Sequence, residues 1–144
     1  MTDRALLVCH AAATWSLVGL AWTILVVQYP LFASVDAASF PAFHTAHSAR
    51  ITLVVLPAML AELACAAWLV ARPIEGVERI AAWAGLAMVG VVWAVTAFWS
   101  VPMHEQLSRG FSSEAHRSLL WSHAVRTLLW SLRGGLAAAW MLRD

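Results

Sequence analysis

Four apolar stretches, each about as long as a membrane-spanning helix, constrain the fold of this chain most strongly. They cover approximately 5–27, 49–71, 80–100 and 118–141, and a helix needs about 20 predominantly apolar residues to cross a bilayer. The first stretch is longer than the roughly 7–15 residues of a signal-peptide core, which predicts a retained span. The composition agrees, because the 144 residues are 62% hydrophobic and only 12% charged, whereas soluble domains carry about 25% charged residues.

Stretches of this length predict helices. Inside a bilayer every backbone N–H and C=O must be satisfied within the protein, so spanning segments fold as helices or closed barrels. Short connections join the four stretches, which makes neighbouring helices antiparallel. We therefore expect an all-α fold, an antiparallel four-helix transmembrane bundle, with residues 1–144 forming a single integral membrane domain.

Charge and cysteine content argue against several classes of protein. The net charge is +1 and no run of basic residues occurs, which argues against a nucleic-acid partner. Cys9 and Cys65 both lie in apolar stretches, and the sequence has no CxxC motif. Neither a redox pair nor a zinc knuckle is indicated.

Arginines near the ends of the stretches indicate an orientation. Cytoplasmic loops of membrane proteins carry an excess of basic residues, and four spans place both termini on one side. That side holds four arginines and the other side three: Arg4, Arg72, Arg79 and Arg143 against Arg50, Arg109 and Arg117. We expect a protein of the bacterial inner membrane, in contact with the lipid bilayer, with both termini in the cytoplasm.

The last apolar stretch carries a polar stripe. Its members are separated by seven, three, four and three residues, which places them on one face of a helix: His116, His123, Arg126, Trp130 and Arg133. A charge near the bilayer centre costs at least about 2.5–3.5 kcal/mol. The stripe is therefore expected to face the protein interior or a hydrated cavity.

Glu62 is the one acidic residue within the four stretches. In an apolar environment it is either protonated or paired with a cation, and Arg126 and Arg133 are the candidates. Arg126 and Glu62 are the candidate catalytic residues. Arg126 would stabilise negative charge on a substrate oxygen, and Glu62 would hold Arg126 or relay a proton. The alternative is a structural ion pair of Glu62 with one of the arginines.

Five of the six histidines lie toward the same end of the predicted bundle, and His10 lies toward the other. These five are His44, His47, His104, His116 and His123. Imidazole binds Cu, Fe and Zn, and haem needs one or two axial histidines. The pattern predicts a transition metal (Cu, Fe or Zn) or haem held by these residues. The alternatives are interfacial histidines that hydrogen-bond to loops, or a pH sensor.

Local signals predict the helix ends. Pro30 should end the first helix and Pro102 the third, because proline lacks an N–H group. Tyr29 suits the aromatic belt at the membrane interface. Ser112 or Ser113 should cap the fourth helix.

Residues 101–136, about a quarter of the chain, contain two short polar motifs. The first is Pro102, His104 and Leu107, and the second is His123, Arg126 and Thr127. In these motifs the region resembles the anthrone-oxygenase-like family of small four-span membrane proteins. The resemblance implies, as in some members, oxidation of a polycyclic aromatic by oxygen. Asn is common in that family where this chain has His104 and His123, a departure that fits a subgroup with metal or haem ligands.

The function predicted from these features is that of an integral membrane oxidoreductase or oxygenase-like protein. It would act on a lipophilic small molecule at a histidine-rich metal or haem site near one membrane face. The alternative is a non-enzymatic membrane protein, namely a small-molecule binder, a transporter subunit or an assembly partner. Because four spans are few for a transporter, that alternative implies a homo-oligomer.

Overall fold

The computed structural model describes residues 2–72 and 74–142. They form four helices and no strand, so the predicted all-α fold is confirmed. The helices are α1 (Asp3–Ser34), α2 (Phe40–Ala71), α3 (Arg79–Ser108) and α4 (Ser113–Met141). Arg143, which was assigned to one side of the membrane with the termini, lies outside the described residues.

Helices α1, α2 and α3 are long and apolar enough to cross a membrane. They have 32, 32 and 30 residues, and at about 1.5 Å per residue each exceeds the roughly 30 Å hydrocarbon core. Helix α4 has 29 residues but carries polar groups on its buried face. Its position inside the bundle allows this, because those groups find partners on the other three helices.

Pairs of contacting residues show that neighbouring helices are antiparallel. Between α1 and α4 the paired numbers rise on one helix as they fall on the other: His10 with Arg133, Ala21 with His123, and Tyr29 with His116. The same holds between α1 and α2: Thr14 with Glu62, and Gln28 with His47. Helices α3 and α4 follow the rule too: Gly85 with Arg133, Thr96 with Arg126, and Ser100 with Ser122.

Two prolines do not end their helices. The expectation that Pro30 ends the first helix and Pro102 the third is wrong, since α1 continues to Ser34 and α3 to Ser108. A π-helical turn precedes each proline, at Ile24–Gln28 and Thr96–Ser100. In such a wider turn the N–H group reaches back five residues. This local change in register lets the helix pass the proline, whose ring and missing N–H disrupt a regular α-helical turn.

The start of α4 follows the sequence signal. Gly110 adopts a φ of 149°, a conformation that favours glycine, directly after α3. The Ser112 side chain then accepts a hydrogen bond from the Ala115 N–H at 3.3 Å, which confirms the predicted cap of the fourth helix.

A buried ion pair joins all four helices in the half of the bundle near His10. Arg133 Nε donates to Glu62 Oε1 at 2.8 Å, and each side chain is 1% exposed. The remaining guanidinium groups bond to His10 Nε2 at 2.9 Å and to the carbonyl oxygen of Gly85. We call Glu62, Arg133 and these partners the clasp, together with two further donors to the carboxylate, Thr14 Oγ1 and Trp130 Nε1.

In the clasp, each carboxylate oxygen of Glu62 and each guanidinium nitrogen of Arg133 has a hydrogen-bond partner. Glu62 Oε1 accepts from Thr14 and Arg133, and Oε2 accepts from Trp130 at 3.1 Å. Removal of one member of a buried ion pair leaves an uncompensated charge and costs about 3–5 kcal/mol. The clasp therefore fixes the relative register of the helices.

Glu62→Gln should lower the free energy of unfolding in detergent by about 3–5 kcal/mol, because Arg133 keeps its charge and loses its counter-ion. The matched control is Glu105→Gln, at an exposed position on α3, which should change that free energy by less than about 0.5 kcal/mol. Denaturant titration followed by circular dichroism measures both. Equal stability of the two variants would contradict a structural role of the clasp.

Gly85→Val should also destabilise the bundle. A Cβ atom at Gly85 would lie 3.1 Å from Arg133 Nη1, whereas one at Gly90, on the same helix, would meet no atom within 4 Å. Overpacking at Gly85 should cost about 1–3 kcal/mol, and Gly90→Val should be close to neutral. Thermal unfolding of the two variants side by side checks this, and a larger loss at Gly90 would contradict it.

Candidate functional site

A cavity of about 220 Å³ lies between the clasp and the histidine-rich end of the bundle, with walls from all four helices. Most of its lining is apolar, from residues such as Leu17, Ile24, Val55 and Met59. Its polar lining residues come from all four helices: Tyr29, Thr52, Trp93, Thr96, Ser100, His104, His123 and Arg126. A mostly apolar pocket with a few converging polar groups is the usual form of a small-molecule site.

Arg126 places a positive charge in this cavity wall. The side chain is 6% exposed, its Nη1 donates to Thr96 Oγ1 at 3.1 Å, and its Nη2 donates to His123 Nδ1 at 2.6 Å. The guanidinium also lies over the Trp130 ring, 5.6 Å from the centroid. Within residues 2–72 and 74–142, no carboxylate pairs with it and its Nε has no hydrogen-bond partner.

His123 positions Arg126. Its Nε2 lies 2.9 Å from the carbonyl oxygen of Ala21, and a carbonyl can only accept, so Nε2 carries the hydrogen. Nδ1 then offers a lone pair to Arg126, as the 2.6 Å contact requires. The neutral imidazole thus ties the guanidinium of α4 to the backbone of α1 without neutralising its charge.

Tyr29 lies at the centre of the polar lining. The expectation of a position in the interfacial belt is wrong, since the side chain is 3% exposed. Its Oη lies 3.1 Å from His104 Nε2, and its ring centroid lies 4.9 Å from that of His123. Tyr29 and Arg126 line the same cavity.

His104 and His44 extend this cluster toward the end of the bundle. His104 Nδ1 lies 3.1 Å from His44 Nε2, so a hydrogen-bonded chain runs from Tyr29 through His104 to His44. His47 stands beside them, with its ring centroid 6.5 Å from that of His104, and its Nδ1 bonds to Gln28 Nε2 at 3.1 Å. His44 and His47 lie three residues apart on α2, and both are buried.

The His116 side chain hydrogen-bonds to the backbone of α1. Its Nε2 lies 2.7 Å from the carbonyl oxygen of Tyr29, and its ring packs against Phe32 and Phe111. This hydrogen bond holds α4 against α1 just before Pro30. The partner lies in helix α1 and not in a loop, so this contact differs from the loop hydrogen bonds that the sequence suggested as an alternative.

The five histidines do not assemble into the expected ligand set. Among the described residues, no group of three or more His, Cys, Asp or Glu side chains is arranged to hold a metal ion. His44, His47 and His104 lie together, whereas His116 and His123 each bond to a backbone carbonyl of α1. The sequence placed all five at one end but could not show which partners each ring would find.

The structure also places Glu62 and Arg126 in two different sites. The expectation that Glu62 holds Arg126 is wrong, because Glu62 belongs to the clasp with Arg133. The two arginines are seven residues apart on one helix face, and the sequence alone left both as candidates. Trp130 lies between the two sites, since its Nε1 donates to Glu62 and its ring underlies Arg126.

Two buried N–H groups at the cavity have no partner among the residues that the structure describes. They are Arg126 Nε and Trp93 Nε1, and both residues line the cavity. An unsatisfied buried donor costs about 1–3 kcal/mol, and more when it is charged. The arrangement is suited to a ligand oxygen that carries, or develops, negative charge.

Comparison with models of known protein families, with curated proteins and with solved structures finds no match for this chain.

Proposed function

We propose that this protein is an integral membrane oxidoreductase, oxygenase-like in its chemistry, that binds a lipophilic small molecule through an acidic oxygen. The observation that carries the proposal is Arg126, a buried guanidinium that lines the cavity and has no carboxylate partner within the described part of the chain. The proposed location is the bacterial inner membrane with both termini in the cytoplasm, which rests on the distribution of arginines.

The two arginines of α4 differ in whether a counter-charge lies beside them. Arg133 is matched by Glu62, whereas the partners of Arg126 among the described residues are neutral, namely Thr96, His123 and the Trp130 ring. A buried charge without a counter-charge is costly. An anionic ligand oxygen would supply that charge, and the planar guanidinium is well suited to bind it.

Tyr29 and His104 provide the groups for proton transfer. They are hydrogen-bonded to each other and both line the cavity beside Arg126. A phenol or an enolisable ketone bound there would lose its proton to this pair, and Arg126 would stabilise the resulting oxyanion. The anion would pass one electron to dioxygen, the co-substrate that the resemblance to the anthrone-oxygenase-like family implies. The resulting ring radical and superoxide would combine to a hydroperoxide, which loses water and leaves a new carbonyl group on the ring.

The apolar walls support a lipophilic substrate. Most lining residues of the cavity are aliphatic or aromatic, and three of the helices that form it are apolar enough to cross a membrane. A non-enzymatic binder would use the same cavity and the same arginine. Oxygen consumption in the presence of a bound phenol distinguishes the enzyme from the binder.

Arg126→Gln should weaken binding of naphthoate, a two-ring carboxylate probe, by at least about tenfold, which corresponds to about 1.4 kcal/mol. It should lower any phenol-dependent oxygen consumption by about 10²–10³-fold, as expected when an oxyanion donor is removed. Arg117→Gln is the control, because Arg117 is exposed on the same helix. Unchanged naphthoate affinity in Arg126→Gln, measured by calorimetry in detergent, would contradict the proposal.

Removal of metal should leave naphthoate binding unchanged, because the proposed donors belong to Arg126 and Trp93. Elemental analysis, a visible spectrum and calorimetry before and after dialysis against a chelator test this. One transition metal or haem per chain, lost together with binding in a His47→Ala, His123→Ala double variant, would instead support the ligand set predicted from the sequence.

A further inference from the structure

The cavity has a mouth on one side of the bundle, and this mouth bears on what the site accepts. Building on the proposed function, we infer that the ligand enters sideways from the bilayer between α2 and α3. We further infer that its head group is a hydroxylated or acidic ring system of about two fused rings. A hydrocarbon tail would remain in the gap between the helices.

The mouth is marked by residues that both line the cavity and lie on the outside of the bundle. These residues are Thr52 and Leu56 of α2 and Val101 of α3. Leu56 is 41% exposed and Val101 is 44% exposed. On a helix that crosses a membrane, that outer surface contacts lipid. The gap therefore connects the lipid-facing surface with the cavity that Arg126 lines.

The other helix pairs around the cavity are closed by polar cross-links. Helices α1 and α4 are joined at Trp22–Ser131 and His123–Ala21, and α3 and α4 at Trp99–Ser118 and Ser100–Ser122. Helices α1 and α2 are joined on either side of the cavity, at Thr14–Glu62 and Gln28–His47. Within the described residues, α2 and α3 share one side-chain hydrogen bond, His44–His104, at the end of the bundle. Among the neighbouring helix pairs, this seam therefore has the fewest side-chain hydrogen bonds in the described part of the chain.

The volume limits the head group. A cavity of about 150 Å³ lined by apolar side chains accommodates benzene. The cavity here has a volume of about 220 Å³. By the same ratio of cavity volume to ring size, it accommodates two fused rings but not three. Arg126 and Trp93 would hold the oxygen at the inner wall, and the mouth at Leu56 and Val101 would release a tail of any length into the bilayer.

The test measures how quickly a probe enters from lipid. Naphthol carrying a decyl chain is preloaded in vesicles, and its binding to reconstituted protein is followed by transfer of excitation from tryptophan. Leu56→Trp and Val101→Trp should each lower the association rate at least about tenfold, because the indole fills the mouth. Leu132→Trp, at an exposed position of α4 away from the cavity, should leave the rate within about twofold, and circular dichroism confirms that each variant is folded.

The size of the head group is tested with one-, two- and three-ring phenols that carry the same chain. The naphthol should bind most tightly, and lengthening its chain should not weaken binding. Entry rates that match the Leu132→Trp control in both plugged variants would overturn lateral entry, and tighter binding of the three-ring phenol would overturn the size limit. If either test fails but Arg126→Gln still loses binding, the proposed function stands. If Arg126→Gln binds the probe as well as the unchanged protein does, both the proposed function and this inference are overturned.

Discussion

A buried charge in a lipid-embedded bundle needs a counter-charge, and the rest of this structure depends on how that requirement is met. The clasp meets it with Glu62 and Arg133, whose groups are all occupied by partners from four helices. Two helical turns away on the same face of α4, Arg126 has only neutral partners within the described part of the chain. The clasp holds the helices in register, and the register presents Arg126 to a cavity.

Both π-helical turns contribute residues to the wall of this cavity. One precedes Tyr29 in α1, and the other contains Thr96 and Ser100 in α3. Each wider turn carries its helix past a proline, so that Tyr29 and His104 both lie next to the cavity instead of in a terminal loop. π-Helical turns are frequent at functional sites. Their occurrence in both helices that supply the Tyr29–His104 pair is consistent with such a site.

The fold could be predicted from the sequence because its determinants are local: the length of the apolar stretches, the Ser112 cap and the polar stripe of α4. The stripe from His116 to Arg133 is buried as its spacing indicated. Partner choice could not be predicted, because Arg126 and Arg133 offer the same chemistry to Glu62, and only packing decides between them. The paths of α1 and α3 through Pro30 and Pro102 were missed because a change in helical register has no clear sequence signal.

We propose that Arg126 binds a negatively charged ligand oxygen. A structure that shows where a ligand binds tests this proposal. A crystal structure with a bromonaphthol locates the bromine by its anomalous scattering. We expect the ring in the cavity behind the mouth between α2 and α3, with its oxygen about 2.7–3.2 Å from a guanidinium nitrogen of Arg126. A ligand seated elsewhere, or an Arg126 guanidinium paired with a protein carboxylate, would contradict it.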